Sequence, residues 1–301
     1  MGRGPFALGG YVLDVRAVLM GLIFALIWSS AFTSARFIVE AAPPLFSLAF
    51  RFAISGMIGV GIALALGQRF NLTRGQWRAV FIFGICQNAI YLGLNFTAIQ
   101  WIEASLAAII ASTMPLLVAL ANWTIFKERL PAIGILGIVA GFAGVALIMA
   151  QRFGGGADPL GVLMCLVGAL ALTVATLTVR SAASDGGNLM MIIGLQMLVG
   201  SAALFVVALP LETLKVDWTT PFILAFAYTT LMPGLLATFI WFLLVGRIGA
   251  TRAATYHFLN PVFGVLIAWV LLSERLSWVD ALGVAIIAGG ILAVQRARVA
   301  T

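Results

Sequence analysis

The sequence has little charge for its length. Lys, Arg, Asp and Glu make up 9% of the 301 residues, while 63% are hydrophobic, and the mean hydropathy is +1.14. Soluble domains carry roughly 25% charged residues, so this composition excludes a soluble domain and predicts an all-α integral membrane protein. A helix needs about 20 apolar residues to cross the bilayer, so the chain has room for roughly ten crossings.

Cysteine, histidine and deeply placed acidic residues are also scarce. Cys86 and Cys165 both fall inside predicted helices, where a thiol behaves as a small hydrophobe, so no disulfide framework and no metal site is predicted. His257 is the single histidine. No carboxylate falls at the centre of a predicted helix, which argues against an intramembrane aspartyl protease and against proton coupling through an embedded acid. No phosphate-binding loop or nucleophile motif appears, so we predict neither an enzyme nor a cofactor.

Ten transmembrane helices are predicted from the apolar runs. They span residues 17–39, 44–66, 77–99, 103–126, 131–150, 158–181, 188–209, 220–245, 250–272 and 277–295. Placing the amino terminus in the cytoplasm puts twelve of the seventeen basic residues on that side and three outside. This asymmetry follows the positive-inside rule and predicts that both termini are cytoplasmic. The formal net charge of +7 therefore reflects topology, and no nucleic-acid partner is predicted.

The chain contains an internal repeat. Residues 102–149 align with residues 248–295 without a gap at a constant offset of 146, and 13 of the 48 positions are identical. The matched residues include Pro115 with Pro261, Trp123 with Trp269, Glu128-Arg129-Leu130 with Glu274-Arg275-Leu276, Gly137 with Gly283, and Gly144 with Gly290. We predict one repeat over 1–152 and a second over 158–301, joined by a Gly-rich linker, 153–157. Five helices per repeat is an odd number, so the second repeat is inverted, and inverted repeats enclose a central cavity near the midplane.

These residues also carry a family resemblance. Trp28-Ser29-Ser30-Ala31-Phe32, Arg51-Phe52, and the Pro-to-Glu-Arg-Leu-to-Gly pattern of both halves resemble the EamA family of the drug/metabolite transporter superfamily. The opening WSSAFTSAR is similar to that of the YddG-type bacterial exporters of aromatic and other amino acids. The resemblance implies ten helices around a central cavity, a bacterial inner-membrane location and an amino-acid substrate. One departure is that Gly168-Ala169-Leu170 stands in the sixth helix where the first has Trp28-Ser29-Ser30.

Polar residues inside the predicted helices are the candidate substrate-binding residues, because polar groups in hydrocarbon face the bundle interior or a cavity. They form a stripe on the third helix, a cluster on the ninth and one cation on the second: Asn88, Tyr91, Asn95, Tyr256, His257, Asn260 and Arg51. The alternative is that these groups only bond neighbouring helices.

Individual residues leave further alternatives open. His257 either relays a proton or is a neutral, hydrogen-bonded residue. Arg51 meets a substrate carboxylate or a helix end, or extends towards the outer interface. Pro115 and Pro261 each remove a backbone donor and kink a helix, as a hinge or as a static bend.

Together these patterns predict a secondary transporter in the bacterial inner membrane that exports aromatic and other neutral amino acids by alternating access. The lipid bilayer and a small-molecule substrate are its predicted partners, and the chain is predicted to act as a monomer or homodimer. The rival within the same superfamily is efflux of drugs or other metabolites. The rivals from other classes are an intramembrane enzyme, which lacks its catalytic residues here, and a scaffold, which would require the polar cluster to be packed and dry.

Overall fold

The computed structural model describes residues 7–8, 11–12, 14–179, 188–249, 253 and 255–299. A two-residue antiparallel pair, β1 (Ala7–Leu8) and β2 (Tyr11–Val12), precedes the helices. The helices are α1 (Val15–Val39), α2 (Pro44–Ala65), α3 (Arg74–Ala98), α4 (Ala104–Thr124), α5 (Ala132–Gly154), α6 (Pro159–Val179), α7 (Leu189–Leu211), α8 (Thr220–Ile248), α9 (Tyr256–Leu272) and α10 (Trp278–Val299).

The predicted fold class is confirmed. Within the described ranges, nine helices are long and apolar enough to cross a membrane, and α9 is a shorter apolar helix. Residues 180–181 of the predicted sixth helix and 250–252 of the predicted ninth lie outside the described part of the chain. So do Arg3, Arg180 and Arg252, three of the twelve basic residues that are predicted to lie on the cytoplasmic side. Helix α5 continues through Gly154, so Phe153 and Gly154 of the predicted linker are helical and the connection narrows to 155–158.

The two repeats share local backbone features at the offset of 146. Thr73 and Thr219 cap α3 and α8, each accepting a hydrogen bond from the backbone N–H three residues later, which satisfies a donor that the helix leaves open. Lys127 and Ser273 both have positive φ, 57° and 55°, just after α4 and α9. Both α3 and α8 contain a π-helical segment, starting at residues 84 and 230. The structure therefore extends the repeat well beyond the 48 aligned residues.

Helices α4 and α9 are both interrupted in front of their prolines. The first segment of α4 ends at Ala111 and the second begins at Met114, with Pro115 in its first turn, where the missing N–H costs nothing. Ser112 Oγ donates to the Ile109 carbonyl at 2.6 Å and Thr113 Oγ1 to the Ile110 carbonyl at 2.7 Å, so side chains satisfy carbonyls at the break. In α9 a 3-10 turn over residues 255–259 precedes the α-helical part.

Carboxylates occupy helix ends, as the sequence predicts. Both oxygens of Glu212 accept from the first-turn amides of α2, at 3.0 and 2.9 Å. Both oxygens of Glu274 accept from Ala104 N and Ser105 N of α4, at 2.8 and 3.0 Å. Anions are stabilised at helix N-termini because unpaired N–H groups and the helix dipole point at them. Each carboxylate therefore ties the second repeat to the start of a helix in the first.

The two most extensive contacts between the repeats are those of α2 with α7 and of α5 with α10. At the α5–α10 crossing, Gly137 approaches Gly290, and Gly144 approaches Gly283. Gly137 is equivalent to Gly283, and Gly144 is equivalent to Gly290. The two contacts are therefore equivalent to each other under the symmetry that relates the repeats. These four glycines therefore pack the two repeats of one chain together.

Candidate functional site

A cavity lies in the middle of the helix bundle, lined by α1, α2 and α3 of the first repeat and by α7 and α8 of the second. The space open to the centres of water molecules is about 30 Å³, which holds a few waters at most. Four of the seven predicted site residues line it: Arg51, Asn88, Tyr91 and Asn95. The polar stripe of the third helix and the cation of the second therefore meet at one place between the repeats.

Arg51 is the most unusual group in this cavity. Its side chain is buried, with 4% of the residue exposed, its guanidinium carbon lies 4.9 Å from the centre of the Phe52 ring, and its Nε has no hydrogen-bond partner. No acidic residue is present in the cavity lining, and within the described ranges Arg51 forms no ion pair. The alternative in which Arg51 extends to the outer interface is therefore wrong, because the side chain is enclosed by the bundle.

The repeats line the cavity at equivalent positions with different side chains. Four equivalent pairs contribute to the lining: Arg51 and Met197, Gln87 and Pro233, Asn88 and Gly234, and Leu92 and Thr238. At the first three pairs the residue of the first repeat is polar and that of the second is not, and at the fourth pair the order is reversed. We call Arg51, Gln87 and Asn88 the polar edge of the cavity.

Asn88 and Asn95 are held by hydrogen bonds as well as facing the cavity. Asn88 Nδ2 donates to the Gln196 carbonyl at 3.1 Å, and Asn95 Nδ2 donates to the Tyr91 carbonyl at 2.8 Å. Cys165 Sγ donates to Asn95 Oδ1 at 3.4 Å. Cavity lining and helix-to-helix bonding, which were alternatives from the sequence, are thus combined in these two residues.

The local backbone of α3 helps to place the stripe. Residues Gly84–Tyr91 are π-helical, a conformation with i→i+5 hydrogen bonds that is rare and concentrates at functional sites. Gln87, Asn88 and Tyr91 of this segment all line the cavity. The equivalent π-helical segment of α8, Thr230–Leu236, supplies Pro233 and Gly234.

The three predicted residues of the ninth helix form a separate cluster and are absent from the lining of this cavity. His257 is buried, and its Nδ1 lies 2.8 Å from Asn260 Nδ2. An amide nitrogen only donates, so Nδ1 accepts this bond in the neutral form of the ring. Ser29 Oγ donates to Asn260 Oδ1 at 3.5 Å, and the Tyr256 ring packs against Gly21 of α1. The arrangement matches the hydrogen-bonded alternative for His257.

Aromatic rings connect this cluster to the cavity. The Phe24 ring lies 5.4 Å from the His257 ring and 5.5 Å from the Trp28 ring, measured between centroids, and 4.9 Å from that of Trp241. Trp28 lines the cavity. His257 is therefore one aromatic layer removed from the cavity wall.

A second cavity of about 280 Å³ lies where α1 ends and α4 begins. Its charged lining residues are Arg36, Glu40, Glu103 and Glu274, and Trp101 also lines it. Arg36 and Glu40, four residues apart in the chain, form an ion pair at 2.7 Å. Arg36 Nη1 also donates to the carbonyl of Ile99, a residue that lines the central cavity. We call this second cavity the charged vestibule, and Arg36 therefore links its lining to that of the central cavity.

Several lining residues were not among the seven predicted. They include Trp28, Gln87, Gln196, Pro233, Gly234 and Thr238. Gln196 had a readable signal, because a glutamine in an apolar helix seeks a cavity or a partner. Gly234 had none, since it contributes to the cavity by lacking a side chain.

Crossing helices in two related halves with a polar cavity between them define a multi-pass membrane protein of the transporter class. The EamA-like transporter family matches residues 15–150 and again residues 159–295, so the chain belongs to this family, within the drug/metabolite transporter superfamily.

Its relatives are named as transporters. The chain is 26% identical over 263 residues to the uncharacterized transporter YvbV of Bacillus subtilis, covering 87% of this chain and 86% of YvbV. It is 27% identical over 276 residues to the uncharacterized inner membrane transporter YedA of Escherichia coli, covering 90% and 89%. It is 30% identical over 139 residues to the aromatic amino acid exporter YddG of Ancylobacter novellus, covering 46% and 48%. A solved crystal structure superposes with a TM-score of 0.69 at 23% identity, covering 93% of this chain and 97% of that one, which supports the fold.

Proposed function

We propose that this transporter exports aromatic and other neutral amino acids across the bacterial inner membrane, with both termini cytoplasmic and the central cavity as the substrate site. The observation that carries the proposal is the buried Arg51, which faces the cavity without a counter-ion. A substrate carboxylate supplies that counter-ion, because a buried cation is stabilised only when it is paired. The partial similarity to an aromatic amino acid exporter supports the same substrate class.

In this proposal the substrate carboxylate binds Arg51, while Asn88, Tyr91 and Asn95 provide hydrogen bonds and stacking area. An aromatic amino acid does not fit into about 30 Å³, so the cavity has to widen when the substrate enters. The breaks of α4 and α9 before Pro115 and Pro261 are the proposed hinges for that motion, with the repeats 1–152 and 158–301 rocking against each other.

In this proposal the cluster behind Trp28 also affects transport. It consists of Tyr256, His257 and Asn260. Their aromatic layer closes the cavity towards the amino-terminal end of α1, so a substrate arriving from that side passes them before it reaches Arg51. We therefore expect substitutions here to affect the rate of exchange more than the affinity for the substrate.

The test is counterflow in proteoliposomes with labelled phenylalanine and threonine against a cationic dye, with and without a pH gradient. We expect exchange of the amino acids that does not depend on the gradient. Asn88→Ala should reduce exchange strongly, and His257→Ala should reduce it less, because only Asn88 lines the cavity. Dye movement without amino-acid exchange would contradict the proposal and favour drug efflux.

Gly234→Ala tests whether the second repeat leaves room for the guanidinium. A Cβ at Gly234 would lie 3.2 Å from Ser55 Oγ and 3.2 Å from the Thr229 carbonyl oxygen, so these neighbours have to shift. At 3.7 Å from Arg51 Nη2 the methyl group would also occupy the space beside the guanidinium. We expect a several-fold loss of phenylalanine counterflow. The matched control is Gly246→Ala in the same helix, where a Cβ meets nothing within 4 Å. Equal exchange by the two variants would show that the space beside Arg51 has no role.

A further inference from the structure

The charge balance of the central cavity limits which substrates it stabilises. Among the residues that the structure describes, Arg51 is the single charged side chain in the lining, and it is buried with no ion pair to any of them. A zwitterionic amino acid brings no net charge, so its complex keeps one uncompensated positive charge in a medium of low dielectric. A monocarboxylate brings one negative charge, so its complex is neutral, and burying a neutral pair costs less than burying an unpaired charge.

The ammonium group of an amino acid also lacks a strong partner here. Amide oxygens of Gln87, Asn88 and Asn95 can accept hydrogen bonds from it, but these groups are neutral and supply no counter-ion. Glu40, Glu103 and Glu274 line the charged vestibule and are absent from the lining of the central cavity. An ammonium group in the cavity therefore loses its hydration without gaining a counter-ion.

The shape of the lining favours an amphipathic molecule in one orientation. Besides the polar edge of Arg51, Gln87 and Asn88 and the polar residues Asn95, Gln196 and Thr238, the lining is mainly aromatic and aliphatic, including Trp28 and Met197. A carboxylate therefore binds at the polar edge, and an apolar body extends over the aromatic and aliphatic surface, where burial of apolar area contributes to affinity.

We propose that the cavity recognises small amphipathic monocarboxylates, aryl or branched alkyl, and that the amino group of an amino acid adds nothing to binding. The inference rests on the proposed function, because it concerns the same cavity and the same contact with Arg51. It goes further in naming the substrate class by its carboxylate, so that a carboxylic acid without an amino group is a substrate in its own right.

The test compares three molecules that share a phenyl ring and a short chain. They are phenylalanine, 3-phenylpropionate, which lacks the amino group, and phenethylamine, which lacks the carboxylate. Each competes against labelled phenylalanine in counterflow, and binding of each to the purified protein in detergent is measured by calorimetry, which does not depend on permeation through the lipid. We expect 3-phenylpropionate to bind at least as tightly as phenylalanine and phenethylamine at least tenfold more weakly.

Two variants link the result to Arg51. Arg51→Gln should lose binding of both carboxylates at least tenfold, whereas Arg51→Lys, which keeps the charge, should retain the ranking of the three molecules. The matched control is Arg78→Gln, since Arg78 is exposed on α3 and far from the cavity lining. If Arg51→Gln does not fold, the affinities of the wild type and of Arg51→Lys for the three molecules still test the inference.

The outcomes separate this inference from the proposed function. Tight binding of phenylalanine with at least tenfold weaker binding of 3-phenylpropionate would overturn the inference and leave amino-acid export standing. Binding of 3-phenylpropionate without phenylalanine would support the inference and remove the amino acid from the proposed function. If phenethylamine binds as tightly as the two carboxylates, or if neither carboxylate binds, Arg51 is not the group that binds the substrate carboxylate.

Discussion

Gly290→Ala is expected to lower the thermal stability of the protein strongly, while Gly289→Ala, one residue away, leaves it unchanged or slightly raised. A Cβ at Gly290 would lie 2.6 Å from Gly137 O, 2.8 Å from Gly141 N and 2.9 Å from Gly141 Cα. All three atoms are backbone, so no side chain can rotate away, and α5 and α10 have to separate. Overpacking of this kind typically costs about 1–3 kcal/mol.

The control, Gly289→Ala, lies in the same helix and makes the same chemical change. A Cβ at Gly289 meets nothing within 4 Å, and alanine is favoured over glycine in a helix interior by up to about 1 kcal/mol. The two variants are compared by thermal unfolding in detergent, followed by the loss of monodisperse protein. Equal melting temperatures would show that the close approach of α5 and α10 contributes little to stability.

By symmetry, a similar loss of thermal stability is expected when the equivalent glycine of the first repeat is replaced by alanine. Gly137 and Gly144 of α5 correspond to Gly283 and Gly290 of α10, and both contacts bring a Cβ position to within 3.1 Å of a facing carbonyl oxygen. These four glycines were visible in the sequence as matched positions at the offset of 146. Small residues at such positions favour close packing of membrane helices, but a sequence does not say which helix is the neighbour.

The offset of 146 explains why the fold was largely predictable. A repeat that preserves Pro115 with Pro261 and Glu128 with Glu274 also preserves the helix break, the caps and the turns around them, since each depends on short-range backbone chemistry. The number of helices and the odd count per repeat then follow from apolar length alone.

The site was less predictable, because side-chain direction depends on features that periodicity does not carry. The stripe of α3 was found, since Asn88, Tyr91 and Asn95 lie on a helix whose π-helical segment keeps them on one side. His257 and Asn260 were expected beside them as part of a continuous helix. The 3-10 turn over residues 255–259 and their mutual hydrogen bond instead place them behind Trp28.

Arg51 shows the limit of sequence reasoning in one residue. Two turns into a helix, an arginine can extend to the interface or face inwards, and both fit the same sequence. Which of them occurs depends on the neighbouring helices: here Phe52 lies beside the guanidinium and Gly234 leaves space for it. The sequence shows a glycine at position 234, but no local pattern indicates that this glycine lies beside Arg51.

Arg152→Gln is the second substitution for which a large loss of stability is expected. Arg152 Nη2 lies 3.1 Å from Asp280 Oδ2, and Nη1 bonds the carboxylate of Glu103, so one guanidinium joins α5 to the starts of α10 and α4. Asp280 is 1% exposed. Removing the cation leaves this buried carboxylate without a counter-ion, and breaking a buried pair in this way typically costs about 3–5 kcal/mol.

The size of this loss should depend on pH. Burial raises the pKa of Glu103, the charges of Glu274 and Asp280 act in the same direction, and the Arg152 guanidinium opposes them. Without Arg152 the pKa of Glu103 rises further, so the folded state binds a proton that the unfolded chain binds only at lower pH. Stability of the variant therefore falls as the pH rises through the folded pKa of Glu103, and its deficit shrinks in acid.

The control for Arg152→Gln is Arg247→Gln. Arg247 forms an ion pair with Asp14 at 2.6 Å, but both side chains are well exposed to solvent, so water and salt screen the interaction and its loss matters little. Thermal unfolding of both variants is measured between pH 5 and pH 8 in the same detergent. A deficit of Arg152→Gln that equals that of Arg247→Gln, or that does not shrink towards pH 5, would show that the Glu103, Arg152 and Asp280 cluster does not join the repeats electrostatically.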